Sequence, residues 1–340
     1  MKSTMKFQRR LNKLNFELPF ILKDVLQFLL SLLLIAITVT SCKSDVETST
    51  NFVYGISTPQ TSYVNVPDSI VQINMSDGTY KNLFSIDKFE GVKSIQEKVY
   101  SKNLNILAYQ FEGFKIGFIN LNNLTSDVIN FQSDSTLYGI RSLLIVEKRN
   151  VLIAVNIYYN HPGSSRTLEL VEIDLKTKAI TNRIKLNNSI DLYNIFSEID
   201  EKNNRIFIIP DNYSSKTEKL YIYNYESKKL TNQTFKTRFI DVHYSSTDQC
   251  LIGTSFTYNN EFGLVSYSIN NQKSDTIGVY TGIHTICTKM NFIDNQNHLY
   301  WLGVFLPDRK STDIPLVNIK LSDASFSKTI VMHKIIDVFK

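Results

Sequence analysis

Cysteine, glycine, histidine and tryptophan are all scarce in these 340 residues, and each scarcity narrows what the chain can be. Three Cys cannot build a disulfide framework, and none forms a C-x-x-C pair. Only 12 Gly are present, with no phosphate-cradling G-x-x-x-x-G-K and no G-x-S-x-G nucleophile elbow. Five His stand singly at 161, 243, 284, 298 and 333, without an H-E-x-x-H or a second ligand at metal spacing. Neither a metal nor another cofactor is expected. No Pro/Gly/Ser-rich linker interrupts the middle of the chain, and no stretch beyond the leader shows a convincing helical period.

The N-terminus is where charge and apolarity concentrate. Six basic residues (Lys2, Lys6, Arg9, Arg10, Lys13, Lys23) precede the apolar run Val25 to Val39. Its 15 residues fall short of the roughly 20 that a spanning helix needs. Basic, apolar and small-residue zones in that order mark a secretory leader. The sequence "VTSC" at its end resembles the bacterial lipobox, which implies that Cys42 carries the lipid. Residues 1–41 are therefore expected to be a lipoprotein signal, 42–51 a tether ("KSDVETSTN"), and 52–340 one folded domain. The alternative is an uncleaved membrane anchor.

Removing the leader also removes the basicity. The whole chain holds 37 Lys and Arg against 32 Asp and Glu, and residues 1–41 account for six and two of them. A net charge near +1 remains, too little excess to release counterions from nucleic-acid phosphates. Nucleic acid is excluded as a partner. Cys250 and Cys287 both sit in apolar runs, where buried thiols are favoured over a bridge.

What the chain does have is a repeat. "IVQINMSDG", "IGFINLNNL", "LVEIDLKTK", "LYIYNYESK", "LVSYSINNQ" and "LVNIKLSDA" begin at Ile70, Ile116, Leu170, Leu220, Leu264 and Leu316, spaced by 46, 54, 50, 44 and 52 residues. In the third copy Val171, Ile173 and Leu175 fall on one face, because strand side chains alternate with period 2. Turn-forming residues follow, and strand-like runs such as "RIFIIP" and "YNIFSEI" precede. Four antiparallel strands in about 45 to 50 residues are the dimensions of a β-propeller blade. On this comparison Tyr221, Tyr223 and Tyr225 belong to blade packing rather than to a ligand platform, and Trp301 to the core.

Closure follows from a mismatch at the two ends. The first unit has no evident innermost strand, whereas the chain ends in a surplus one, "KIIDVF". If that strand completes the first blade, six blades close into a ring without exposed edges. A seventh blade would require a unit with no visible sequence. A β-sandwich is the competing all-β fold, but it does not call for a four-strand period repeated six times.

Propeller ligands commonly meet the funnel lined by connectors that enter the innermost strands, an expectation borrowed from the fold. The candidates there are Arg141, Arg238, Asp241, His243 and His284, a mixture able to hold an acidic sugar or other anion.

Cys42 with its preceding "VTS", together with the six strand segments, resembles the Bacteroidota-type lipoproteins that carry a six-bladed, TolB-like or NHL-like propeller. The glycine-marked pattern of NHL repeats is absent. The resemblance implies a monomeric module in the outer membrane or cell envelope, held at the membrane by its N-terminal lipid and facing the periplasm or the exterior. It would bind or scaffold an envelope protein or glycan. An enzyme working in the funnel, a glycan lyase or hydrolase, is the alternative.

Overall fold

Alternation of apolar residues on both faces requires each strand to be covered from two sides, and stacking blades around an axis does this. The computed structural model describes residues 52–57, 69–86, 97–111, 115–130, 139–159, 166–187, 194–211, 217–256, 261–281, 283, 286–304 and 313–339. They form six antiparallel sheets of four strands each. The ring has six blades, as the repeat count requires, and belongs to one unit spanning Phe52–Lys340. The leader, Cys42 and the tether lie outside the described residues.

From the axis outward, blade 2 is β4 (Lys98–Ser101), β5 (Ile106–Phe111), β6 (Lys115–Asn120) and β7 (Thr125–Asn130). Blade 3 is β8 (Ile140–Val146), β9 (Val151–Tyr159), β10 (Arg166–Asp174) and β11 (Ile180–Asn187). Blade 4 is β12 (Asn194–Asp200), β13 (Arg205–Asp211), β14 (Glu218–Asn224) and β15 (Lys229–Phe235). Blade 5 is β16 (Asp241–Ser245), β17 (Cys250–Phe256), β18 (Phe262–Ser268) and β19 (Lys273–Tyr280). Blade 6 is β20 (Phe292–Asp294), β21 (Leu299–Gly303), β22 (Asp313–Lys320) and β23 (Phe326–His333).

Blade 1 is built from both ends of the domain. Its inner strand is β24 (Ile335–Phe339), followed outward by β1 (Phe52–Ser57), β2 (Ser69–Asn74) and β3 (Tyr80–Ser85). β24 pairs antiparallel with β1, Gly55 opposite Val338 and Ser57 opposite Ile335. The surplus C-terminal strand thus supplies the missing one.

The hydrophobic core is divided into six clusters, each between neighbouring blades. On β10, Leu168 and Leu170 pack toward blade 4 against Ile206, Ile208 and the three tyrosines 221, 223 and 225. The alternate residues Val171, Ile173 and Leu175 pack toward blade 2 against Ile116 and Phe118. The tyrosines are 2%, 0% and 1% exposed, so they pack rather than present themselves. Each such side chain contributes roughly 1.5–3 kcal/mol on burial. Trp301 is buried against Phe292, rings 6.0 Å apart. Cys250 is buried and Cys287 only half-buried, with no disulfide between them. The expectation of two buried thiols therefore holds for Cys250 alone.

Polar turns lock the blades at the ends away from the connectors. Glu147 accepts from Ser101 Oγ at 2.5 Å, its own N–H donates to Glu201 at 2.9 Å, and so blades 2, 3 and 4 are linked. Ser246 N donates to Asn295 Oδ1 at 2.9 Å, joining blades 5 and 6. Asn105, Asn150 and Asn204 hold left-handed φ in three of these inner turns, a conformation that Asn tolerates better than most residues.

Candidate functional site

Inner strands bring their first residues toward the axis from successive blades, and five of the six entries contribute to one cavity of about 390 Å³. Glu97 and Lys98 come from the start of blade 2, Arg141 and Ser142 from β8, and Ile195 to Glu198 from β12. Ile240 to His243 come from the start of blade 5, and Thr288 and Lys289 from the 3-10 turn before β20. Its size lies at the lower end of the range for small-molecule sites.

One wall is a hydrogen-bonded array reaching across three blades. Glu198 of β12 lies 3.1 Å from His243 Nδ1 of β16. With Nδ1–H donating to that carboxylate, Nε2 is buried without a hydrogen bond, 3.9 Å from Asp241 Oδ2. Asp241 sits beneath and accepts from Thr254 N at 2.9 Å, from the Tyr300 hydroxyl at 2.6 Å, and from Thr254 Oγ1 and Asn291 Nδ2. Asn291 in turn accepts from Gly303 N at 2.9 Å.

Two glycines make this close approach possible. A Cβ at Gly253 would overlap the Asp241 carbonyl oxygen, and one at Gly303 would lie 2.8 Å from Met290 Cβ. A larger residue at either place would push the inner strand or the 3-10 turn out of register with the network.

Electrostatics follow from this packing. Burial works against a charged His243, but its hydrogen bond to Glu198 and the charges of Glu198 and Asp241 outweigh it, against repulsion from Lys98. The imidazole pKa is raised above its ordinary 6.5. Burial, then the neighbouring Asp241 carboxylate, pushes the Tyr300 hydroxyl well up, so it remains a donor. Arg141 and Lys289, also in the lining, are exposed, and neither makes a hydrogen bond or ion pair with a described residue.

Three of the residues singled out from the sequence, Arg141, Asp241 and His243, therefore line one cavity. Arg238 lies on the connector into β16 but is exposed and not part of the lining. His284 lies outside the described residues, as does Cys42. Asp241 is committed to the wall, since its carboxylate already accepts from Thr254, Tyr300 and Asn291. Sequence reasoning missed Glu97, Lys98, Glu198 and Lys289. A signal existed for Glu198: it is an acidic residue in the middle of the strand-like run "YNIFSEI", where only an axial partner would keep it.

No protein-family model matches the chain, and a search of curated proteins finds no match. Solved structures do share the fold. TolB from Acinetobacter baumannii aligns with a TM-score of 0.61 at 13% identity, over 85% of this chain and 65% of that one. The chain thus spans under two thirds of that TolB. A chain of a nidogen–laminin complex aligns with a TM-score of 0.56 at 8% identity, over 85% and 97%. A protein assigned as TolB from Agrobacterium tumefaciens gives 0.54 at 7%, over 84% and 91%. At these identities the likeness is one of fold.

Proposed function

We propose that the protein is a binding module whose ligand enters the axial cavity at the connector face. In this reading the propeller is tethered through Cys42 to the cell envelope and takes an envelope protein or glycan as its partner. The observation that carries it is the wall Glu198–His243–Asp241, with Asp241 fixed by Thr254, Tyr300 and Asn291, in a cavity that two unengaged cations also line. A rigid wall costs a ligand little ordering on binding, and cations without protein partners give up water rather than an existing ion pair on taking one.

Catalysis is the weaker reading because the histidine of the array is not an accessible base. His243 Nδ1 faces Glu198, and Nε2 is buried toward Asp241. A general base needs reach to the substrate's proton.

The test is capture from solubilised envelopes by the full-length protein and by Arg141→Ala. Arg141 is exposed, so its loss spares the fold. Material retained by the wild type and lost by the variant supports the site; equal retention by both removes it. Cys42→Ala should leave the membrane fraction, and persistence there would favour an uncleaved anchor.

A further inference from the structure

Formal charges around the cavity nearly cancel. Lys98, Arg141 and Lys289 stand against Glu97, Glu198 and Asp241, and His243 decides the remainder. With the imidazole protonated the lining carries one net positive charge; with it neutral, none. Two of the acids are engaged in the wall, Glu198 with His243 and Asp241 with its donors. The free positive ends, Arg141 from blade 3 and Lys289 before blade 6, enter from opposite sides of the six-membered ring.

The rest of the lining is not that of a bare ion site. Ser142 and Ser197 share a hydrogen bond of 2.5 Å between β8 and β12, and Thr288 adds a third hydroxyl. Half-buried Phe196 and Ile240 supply apolar surface. One net charge, hydroxyl partners and an apolar face together suit a small polyhydroxylated monoanion better than a dianion or a neutral sugar.

The geometry points to a carboxylate-bearing sugar, a hexuronate unit, held with its carboxylate by Arg141 and Lys289 and its ring against Phe196. This inference rests on the axial cavity being the binding site. His243 acts as a positioning residue through its charge, since Nε2 is buried. Glu198 on β12 and Asp241 on β16 favour that charge and Lys98 on β4 opposes it, while the Tyr300 ring on β21 packs 5.9 Å from the imidazole. Because the monoanion favours the protonated imidazole, affinity should fall as pH rises through the His243 pKa. At an effective dielectric of about 20, a unit charge roughly 12 Å away corresponds to about tenfold in Kd.

The experiment is calorimetric titration of the full-length protein with glucuronate, glucose, acetate and inorganic phosphate at pH 6 and pH 9. Glucuronate should bind about tenfold more tightly at pH 6, glucose should fail, and acetate and phosphate should bind at least tenfold more weakly. Arg141→Ala and Lys289→Ala should each weaken glucuronate about tenfold, and His243→Gln should flatten the pH dependence. Glucose or phosphate binding as well as glucuronate, acetate matching it, or an unchanged pH profile in His243→Gln would overturn the inference. If envelope capture stays Arg141-dependent while glucuronate does not bind, the uronate inference fails alone. If capture ignores Arg141, the binding site fails with it.

Discussion

Ile335→Ala probes the seam that joins the two ends of the domain. Ile335 is 1% exposed and Val338 3%, and both pack with Val53, Val71, Ile73, Met290 and Phe292 between blades 6 and 1. Trimming a buried Ile to Ala costs roughly 2–5 kcal/mol, the transfer of the lost methyl groups plus the cavity they leave. A central value of about 3 kcal/mol should lower the melting temperature by about 5 °C in a domain of this size. Removing residues 335–340 deletes both side chains, the β24–β1 ladder and the inner edge of blade 1. That loss is comparable with the whole stability of a domain, about 5–15 kcal/mol, so the truncated chain should show no cooperative melt. Circular dichroism and calorimetry on wild type, Ile335→Ala, the truncation and a surface control, Lys273→Ala, make the comparison. A truncation that melts like the wild type would refute the seam.

The wall of the cavity gives a second outcome. Asp241→Ala leaves the Tyr300 hydroxyl, Thr254 and Asn291 buried without their acceptor, which should cost about 3–5 kcal/mol. Urea unfolding should show a lower midpoint with an unchanged slope. Glu172, buried between blades 3 and 4, gives a third. Burial alone would raise its pKa, but hydrogen bonds from Lys228 at 2.9 Å and Arg149 at 3.4 Å, with their charges, hold it below the usual 4.5. A depressed carboxylate stabilises the fold above its unfolded pKa and loses that contribution as pH falls through the folded one. Stability of the wild type relative to Glu172→Gln should therefore be constant from pH 7 to about 5 and shrink toward pH 3; a difference that does not change would remove Glu172 from the acid response.

The fold was legible because its defining interactions are periodic. Leu170 and Val171 point to opposite neighbours, and the pattern repeats at Leu220, Leu264 and Leu316 with little change. Closure was legible for a different reason: an unpaired strand at one end matched a vacancy at the other. The site was only partly legible. Arg141 and His243 could be found by asking which connector residues enter inner strands. Glu198 carried a signal, an acid inside an apolar strand run, but Lys289 carried none, because its meaning depends on where the turn before β20 sits about the axis. Asp241 could be placed at the cavity from the sequence, but that its carboxylate is already taken by Tyr300 and Asn291 of blade 6 could not.

Hydrogen exchange across the full-length chain, with and without the envelope material it captures, tests the axial binding site most directly. Protection gained at the first residues of β4, β8, β12 and β16 and at the turn Thr288–Met290, with the outer strands β7, β15 and β19 unchanged, is the result expected. Protection confined to the outer strands, with the axial residues exchanging as before, would contradict it.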